Sequence, residues 1–207
     1  MTWISYLIPL TLYHGKTVRS TSIEVREACG QRKMDLNGYP QSGSLYRRIW
    51  KKVLERRGKA KNVLLLGLGG GDVVKQLTSQ HTHGKIVVVE LEAEVVRVAK
   101  DYFGIIPNEK LQIVTEDAKT YVKRNKQRYE LVIVDLYSGD GVPKFVETKR
   151  FLSDVKRAIT LDGQAIFNYA SHSFREDDFV CFEKLLNGVF TSVNRLKVWG
   201  HTFYVAK

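Results

Sequence analysis

A glycine cluster set between two apolar runs constrains this chain more than any other feature. Residues 62–92 read NVLLLGLGGGDVVKQLTSQHTHGKIVVVELE. An apolar run at 63–66, long enough for one buried strand, leads into Gly67, Gly69, Gly70 and Gly71, closed by Asp72. A helix-like stretch follows, then a second apolar run at 86–89 that ends in Glu90 and Glu92. Strand, glycine turn, helix, strand and acid is the order of a nucleotide-binding βαβ unit. A turn this tight needs positive φ at some positions, and a nucleotide approaches the backbone only where no Cβ intervenes. An acid at the tip of the second strand can accept both hydroxyls of a ribose. A pyrophosphate-binding turn reads G-x-G-x-x-G and leaves its helix N-terminus open to an anion. Here the cluster reads G-L-G-G-G-D, with Asp72 the expected N-cap, and its charge repels a phosphate. The pattern favours a nucleoside without phosphates, such as S-adenosylmethionine or a relative. A dinucleotide is the weaker reading, as are glycines that merely pack a helix against a strand.

The rest of the chain alternates in the same way. Strands are expected at 63–66, 85–89, 111–114, 131–134 and 164–169, with helices at 73–78, 93–102, 118–125, 149–159 and 176–186. Apolar strands alternating with helices mean a parallel sheet covered on both faces. The end differs: runs at 192–199 and 201–206 flank a tight turn at Gly200, so the last strand should run antiparallel. A mostly parallel seven-stranded sheet with one antiparallel terminal strand is the Rossmann-like architecture of class I methyltransferases. Residues 1–44 stand apart as an N-terminal extension preceding an α/β domain at 45–207. Runs at 21–28 and 31–37 form a β-hairpin across Cys29-Gly30, and LNGYPQSG reads as a turn cluster. Ser44 is the expected N-cap of an amphipathic helix, SLYRRIWKKVLERR, with Leu45, Ile49, Trp50 and Val53 on its apolar face.

Composition narrows the partners. The 207 residues carry a formal net charge of +11, which raises the prior for a polyanion. The densest basic runs, 47–61 and 123–128, lack the interleaved aromatics of a single-strand platform, so a nucleic acid is an open but unfavoured partner. Two distant cysteines, Cys29 and Cys181, form no disulfide framework and no metal spacing. The expected compartment is reducing and cytoplasmic. No stretch approaches the roughly 18 apolar residues that cross a bilayer. The apolar start, WISYLIPLTLY, is read as a strand or packing arm and as a dimer contact, so a homodimer is expected. His81 and His83 share a loop with no cysteine partner, and no metal site is expected.

In an open parallel sheet, ligands collect at the carboxyl ends of the strands. There stand Asp72, then Glu90 and Glu92, then Glu116 and Asp117, then Asp135 and Asp140. An acidic end on a basic chain points to a cationic ligand, a sulfonium, an amine or both. Glu90 is assigned the ribose, and Asp117 with the Ala118 amide the adenine edge. Asp135 leaves the buried run LVIVD and is assigned catalysis: one-sided burial raises its pKa, and a carboxylate there can take a proton from an ammonium nucleophile. Tyr46 and Tyr137 line the approach by cation–π contact.

These motifs together resemble the spermidine synthase (polyamine aminopropyltransferase) family over most of the chain. VLLLGLGGGD is similar to that family's GGGD motif, VVVELEAEVVRVAKDYF to its acid-bearing second strand and helix, TEDA to its GDA, and YELVIVDLYSGDGVP to its YDVIxxDSSDPxGP. RKMDLNGYPQ resembles the hairpin and turn that precede the domain. The resemblance implies Asp135 as proton acceptor. It implies Gly67, Gly69, Gly71, Glu90, Glu92, Asp117, Ala118 and Pro143 around the thioadenosine. It implies Asp72 at the aminopropyl or amine end, and Gln41, Tyr46, Tyr137 and Asp140 around the amine. The implied reaction moves an aminopropyl group from decarboxylated S-adenosylmethionine to an amine and releases methylthioadenosine. The chain departs from the pattern where Ser138 stands three residues after Asp135, and where Arg47 follows Tyr46 in place of His or Gln. Two other functions remain open: methyl transfer from intact S-adenosylmethionine on the same fold, and a non-enzymatic module whose basic face binds a partner.

Overall fold

A computed structural model of the chain describes residues 3–57, 59–81, 84–138, 141–169 and 175–207. Its centre is a seven-stranded sheet: β5 (Val63–Leu66), β6 (Ile86–Glu90), β7 (Leu111–Thr115), β8 (Tyr129–Val134), β9 (Ile159–Asn168), β10 (Val193–Val198) and β11 (His201–Ala206), in the order β10-β11-β9-β8-β5-β6-β7. The five strands from β7 to β9 run parallel, and β11 is antiparallel to both of its neighbours. The expected hairpin end is therefore present, with the last strand inserted inside the sheet rather than added to its edge.

The apolar runs are continuous because both faces are buried. Val63 and Leu65 face one core together with Ile86, Val88, Leu131 and Ile133. Leu64 and Leu66 face the other with Val87, Val89, Val132 and Val134. The first core is closed by α1 (Ser44–Glu55), α2 (Asp72–Gln76) and α3 (Ala93–Phe103). The second is closed by α4 (Ala118–Arg124), α5 (Lys149–Ala158) and α6 (Glu176–Asn187). In α1 the buried stripe is Ile49, Trp50, Val53 and Leu54, while Leu45 turns to solvent at 51% exposure. Basic α1 residues instead meet an aromatic from the far end of the chain: the Arg48 guanidinium and the Lys52 ammonium lie 5.0 and 4.8 Å from the Trp199 ring.

The N-terminal region is larger than a hairpin. After a 3₁₀ turn at Trp3–Tyr6, four antiparallel strands follow in sequence order: β1 (Leu10–Gly15), β2 (Ile23–Ala28), β3 (Gln31–Leu36) and β4 (Tyr39–Ser42). The turn is confined to Asn37-Gly38, both at positive φ, which suits a two-residue hairpin. The segment read as a turn cluster is thus mostly strand, and its Pro40 sits in an edge strand, where a missing N–H is tolerated. Ile23, Val25 and Met34 of this sheet are fully buried in the same core as Ile49, Trp50, Val98 and Phe103. The sheet and the α/β unit therefore share one interior.

The switch in strand order falls between β5 and β8, and Gly67 makes it close. The Asp135 amide donates to the Leu66 carbonyl at 2.9 Å, and Gly67 donates to Val89 at 2.8 Å. A Cβ on Gly67 would collide with the Asp135 carbonyl oxygen, at a backbone φ of +95°. Gly38 also has a left-handed φ, +80°, but nothing lies within 4 Å of its missing Cβ. Gly67→Ala should therefore lose more stability than Gly38→Ala, by roughly 1–3 kcal/mol from the added collision. Urea unfolding of the two variants checks this, and equal midpoints would remove Gly67 as the spacer of the switch.

Candidate active site at the strand switch

The carboxyl ends of β5 and β8 bring the glycine turn and Asp135 together. Asp135 is half-buried. Burial lifts its carboxyl from 3.8 to about 6, against hydrogen bonds from Asn168 and Trp50 that favour the anion; repulsion from Asp72 and Glu90 adds to the rise. The Asn168 side-chain amide donates to Asp135 Oδ1 at 2.9 Å. Asn168 itself is 4% exposed, and its Oδ1 has no hydrogen-bond partner among the described residues. A buried acceptor without a donor carries a desolvation cost until a donor arrives. Beside a carboxylate poised to ionise, that donor can be an ammonium.

Tyr137 and Tyr46 border the same carboxylate. Burial raises the Tyr137 hydroxyl well above its usual range, with Asp135 adding to the effect. Tyr46 is raised by burial, then by Asp135 and Asp35. Both stay neutral at physiological pH. Gln41, in β4, lies beside the glycine turn: its carbonyl oxygen is 3.0 Å from where a Cβ of Gly69 would stand. Gly70 lies against Ser42 and Phe103, and Gly71 against Ile105. The glycines thus let the N-terminal sheet and α3 close on the turn, a packing role in addition to any approach of a ligand.

The acids at the strand ends divide into two groups. Glu90 accepts from the Leu68 amide at 2.9 Å and the Glu92 amide at 3.0 Å, and burial raises its pKa. It ties the glycine turn to the end of β6 and retains lone pairs for a ligand hydroxyl. Asp72 and Glu90 both lie close enough to raise Asp135. The remaining acids also bond protein groups. Both oxygens of Glu92 accept backbone amides of the β1–β2 connection, Arg19 at 2.8 Å and Val18 at 3.3 Å. Glu92, expected around the nucleoside, thus also ties the end of β6 to the N-terminal sheet. Glu116 pairs with Arg124. Asp117 caps α4 through the Thr120 amide at 2.8 Å, leaving one oxygen and the buried Ala118 toward the end of β7. Pro143 opens the 3₁₀ turn Lys144–Glu147 beyond β8. Asp140 and His83 lie outside the described residues.

Asp72 departs from its expected role. Gly71, at φ 80°, is the N-cap of α2, and Asp72 is the first helical residue. Its buried carboxylate turns away from its own helix to the Gly43 amide at 2.7 Å and Arg47 Nε at 3.2 Å. Ser44 likewise is the first residue of α1, with Gly43 the N-cap. Trp50 beside Asp135 and the Arg47–Asp72 pair escaped sequence reasoning, which puts Asn168 at a strand end but gives it no role. That role becomes visible only once β9 is placed beside β8. Among the described residues no group of three His, Cys, Asp or Glu side chains could hold a metal ion, and no helix is long and apolar enough to cross a membrane.

Residues 46–203 match the spermine/spermidine synthase domain model. The polyamine aminopropyltransferase of Vibrio vulnificus (strain CMCP6) is 30% identical over 118 residues, 56% of this chain and 40% of that protein. The chain thus spans about two fifths of that relative's length in the match. A crystal structure of spermidine synthase in complex with the transition-state analogue AdoDATO superposes with a TM-score of 0.80 at 17% identity, over 95% of this chain and 73% of that one. Human methyltransferase-like protein 13 in complex with SAH gives 0.64 at 17% identity, over 79% of each chain. At such identities the two structures establish the fold, which both proteins share.

Asp135 generates a stability prediction. Its folded pKa is raised, so the fold prefers the protonated form. That preference stabilises fully below the unfolded value of 3.8 and is lost as pH rises through about 6. Asp135→Asn removes the loss, so relative to the native chain it should gain on the order of 1–3 kcal/mol between about pH 4 and pH 7. Asn168→Ala removes a donor to the anion and should raise the Asp135 pKa further, read by carboxyl carbon NMR. A fall on Asn168→Ala, or a pH-independent difference for Asp135→Asn, would contradict this account.

Proposed function

The chain belongs to the spermine/spermidine synthase domain family, and from that premise we propose that it transfers an aminopropyl group from decarboxylated S-adenosylmethionine to an amine. The observation that carries the reading is the pair at the end of β8 and β9: Asp135, with its carboxyl lifted to about 6, beside the unfilled buried acceptor of Asn168. An ammonium entering between them donates to both. Asp135 takes its proton, and the freed nitrogen lone pair attacks the carbon next to the sulfonium. The C–S bond breaks with its electron pair going to sulfur, which leaves as the neutral thioether methylthioadenosine. With a pKa near 6 the carboxylate is largely ionised at neutral pH yet basic enough to accept the proton. Glu90 holds the ribose, Asp117 and Ala118 the adenine edge, and Gly67, Gly69, Gly71 and Pro143 the walls around the nucleoside. Gln41, Tyr46, Tyr137 and Asp140 surround the amine.

The proposal includes a cytoplasmic setting, in keeping with two exposed free thiols, Cys29 and Cys181. It also includes a homodimer, in keeping with the exposed apolar start, where Trp3 is 75% and Leu7 74% accessible. Light scattering should then give twice the 23.7 kDa of the chain.

Methylthioadenosine release from decarboxylated S-adenosylmethionine and an amine, followed chromatographically, tests the reaction. Asp135→Asn should lower kcat by about 10²–10⁴-fold, the usual weight of a general base, while methylthioadenosine still binds. Turnover that survives the change removes Asp135 from its role. Glu90→Gln should weaken methylthioadenosine binding by about 1.5–3 kcal/mol through loss of charge-assisted hydrogen bonds, and unchanged calorimetric affinity would place the ribose elsewhere.

A further inference from the structure

An exposed indole and a row of cations meet on the outer face of α1. Trp199 and Gly200 form the two-residue turn between β10 and β11, at φ 46° and 85°. Such a turn takes positive φ at both positions and ordinarily carries Asn, Asp or Gly at the first. A bulky residue is an outlier there, and the ring it brings belongs to neither core. Trp199 is 48% exposed, whereas Trp50 is 2% exposed and packs inside against Phe203. The Arg48 guanidinium lies 5.0 Å and the Lys52 ammonium 4.8 Å from the Trp199 ring centroid. Topology thus supplies the exposed aromatic that the basic run itself lacks.

The cations continue beyond the ring. Arg48, Lys52 and Arg56 are all exposed and recur every four residues, so they succeed one another at about 6 Å along the helix. None of the three makes an ion pair with a described residue. Glu55, the acid of α1, pairs with Lys51 at 3.8 Å and so does not neutralise the row. Arg48 and Lys52 are held against a neutral ring, which orients them and leaves their charge in place. A row of this kind on a chain of net charge +11 is matched by a polyanion.

We propose that this face binds a single strand of nucleic acid, with a base stacked on the Trp199 indole and phosphates held by Arg48, Lys52 and Arg56. A ring set in a row of cations supplies the two things such a strand needs, a π-face and a charged track for its backbone. An anionic membrane fits less well: with two cations against its ring, the indole cannot enter hydrocarbon without taking their charges along. An acidic peptide would use the charges and leave the ring idle. The proposal does not rest on transfer at Asp135, and none of its residues is assigned to that cleft.

Fluorescence anisotropy of labelled single strands of about 16 nucleotides, titrated with the full chain, tests it. Oligo-uridine and oligo-thymidine separate RNA from DNA as the source of the strand. At least one should bind, and with three phosphates held its affinity should fall about twentyfold between 50 and 200 mM salt. Trp199→Ala should weaken binding at least about fivefold, the lower end of base–aromatic stacking, at an unchanged salt slope. Trp199→Phe should keep part of the affinity, and Lys52→Gln should make the salt slope shallower by about 0.7. Equal binding after Trp199→Ala, tighter binding of the matching duplex than of the strand, or no binding at the lower salt overturns the proposal. Binding of anionic phospholipid vesicles in place of either strand overturns it in favour of a membrane surface.

Discussion

The site exists because β5 and β8 lie side by side while the chain leaves them in opposite directions. The four-residue pairing from Val63–Leu131 to Leu66–Val134 sets the register, and at its end the Asp135 amide bonds the Leu66 carbonyl. One residue further, Gly67 must pass the Asp135 carbonyl with no room for a side chain. A residue with a Cβ would push the end of β8 away and take the carboxylate with it. The crevice that opens where parallel strands diverge is a general property of open α/β sheets. Here its depth is fixed by a backbone contact, and each other site residue is measured from it.

Burial and charge pairing act in opposite senses on the acids that border this crevice. Asp72 is more enclosed than Asp135, yet it has a guanidinium and a backbone amide on its oxygens. Asp135 has only neutral donors, Asn168 and Trp50, and desolvation outweighs both. Two carboxylates a few elements apart thus have different surroundings: Asp72 sits inside an ion pair, while Asp135, raised to about 6, is able to exchange a proton. Glu90 is intermediate, buried and raised, but bonded to two amides that hold it in place. Separation of neighbouring titrating groups by environment is what allows one of them to act as a base near neutral pH.

Strands buried on both faces were legible in the sequence because continuous runs such as VLLL and IVVVE have few alternatives once glycine and helix patterns flank them. The glycine turn, the position of Asp135 and the antiparallel final strand followed from the same local rules. The N-terminal sheet was harder. β1 is only partly buried and β4 carries a proline, so neither shows the alternation that marked β2. The roles of the acids were harder still, because each depends on a partner distant in sequence. Glu92 is claimed by residues 18 and 19, Asp72 by 43 and 47, and Asp135 by 168. Trp199 likewise reaches the basic face of α1 from the opposite end of the chain, so an exposed aromatic stands beside a basic run whose own Trp50 is buried. Local pattern determines elements; side-chain function depends on which elements the topology makes neighbours.

The charge around Asp135 is set by fewer acids than stand at the strand ends. Counting acids at the strand ends gave an anionic pocket on a chain of net charge +11. Once Glu92, Glu116 and Asp117 are engaged by a loop, an arginine and a helix cap, the negative charges felt at Asp135 are those of Asp72 and Glu90. Arg47 is engaged with Asp72 and Arg32 with Glu27, so these basic residues tie the N-terminal sheet and α1 to their neighbours, and the net charge of the chain does not set the field at Asp135.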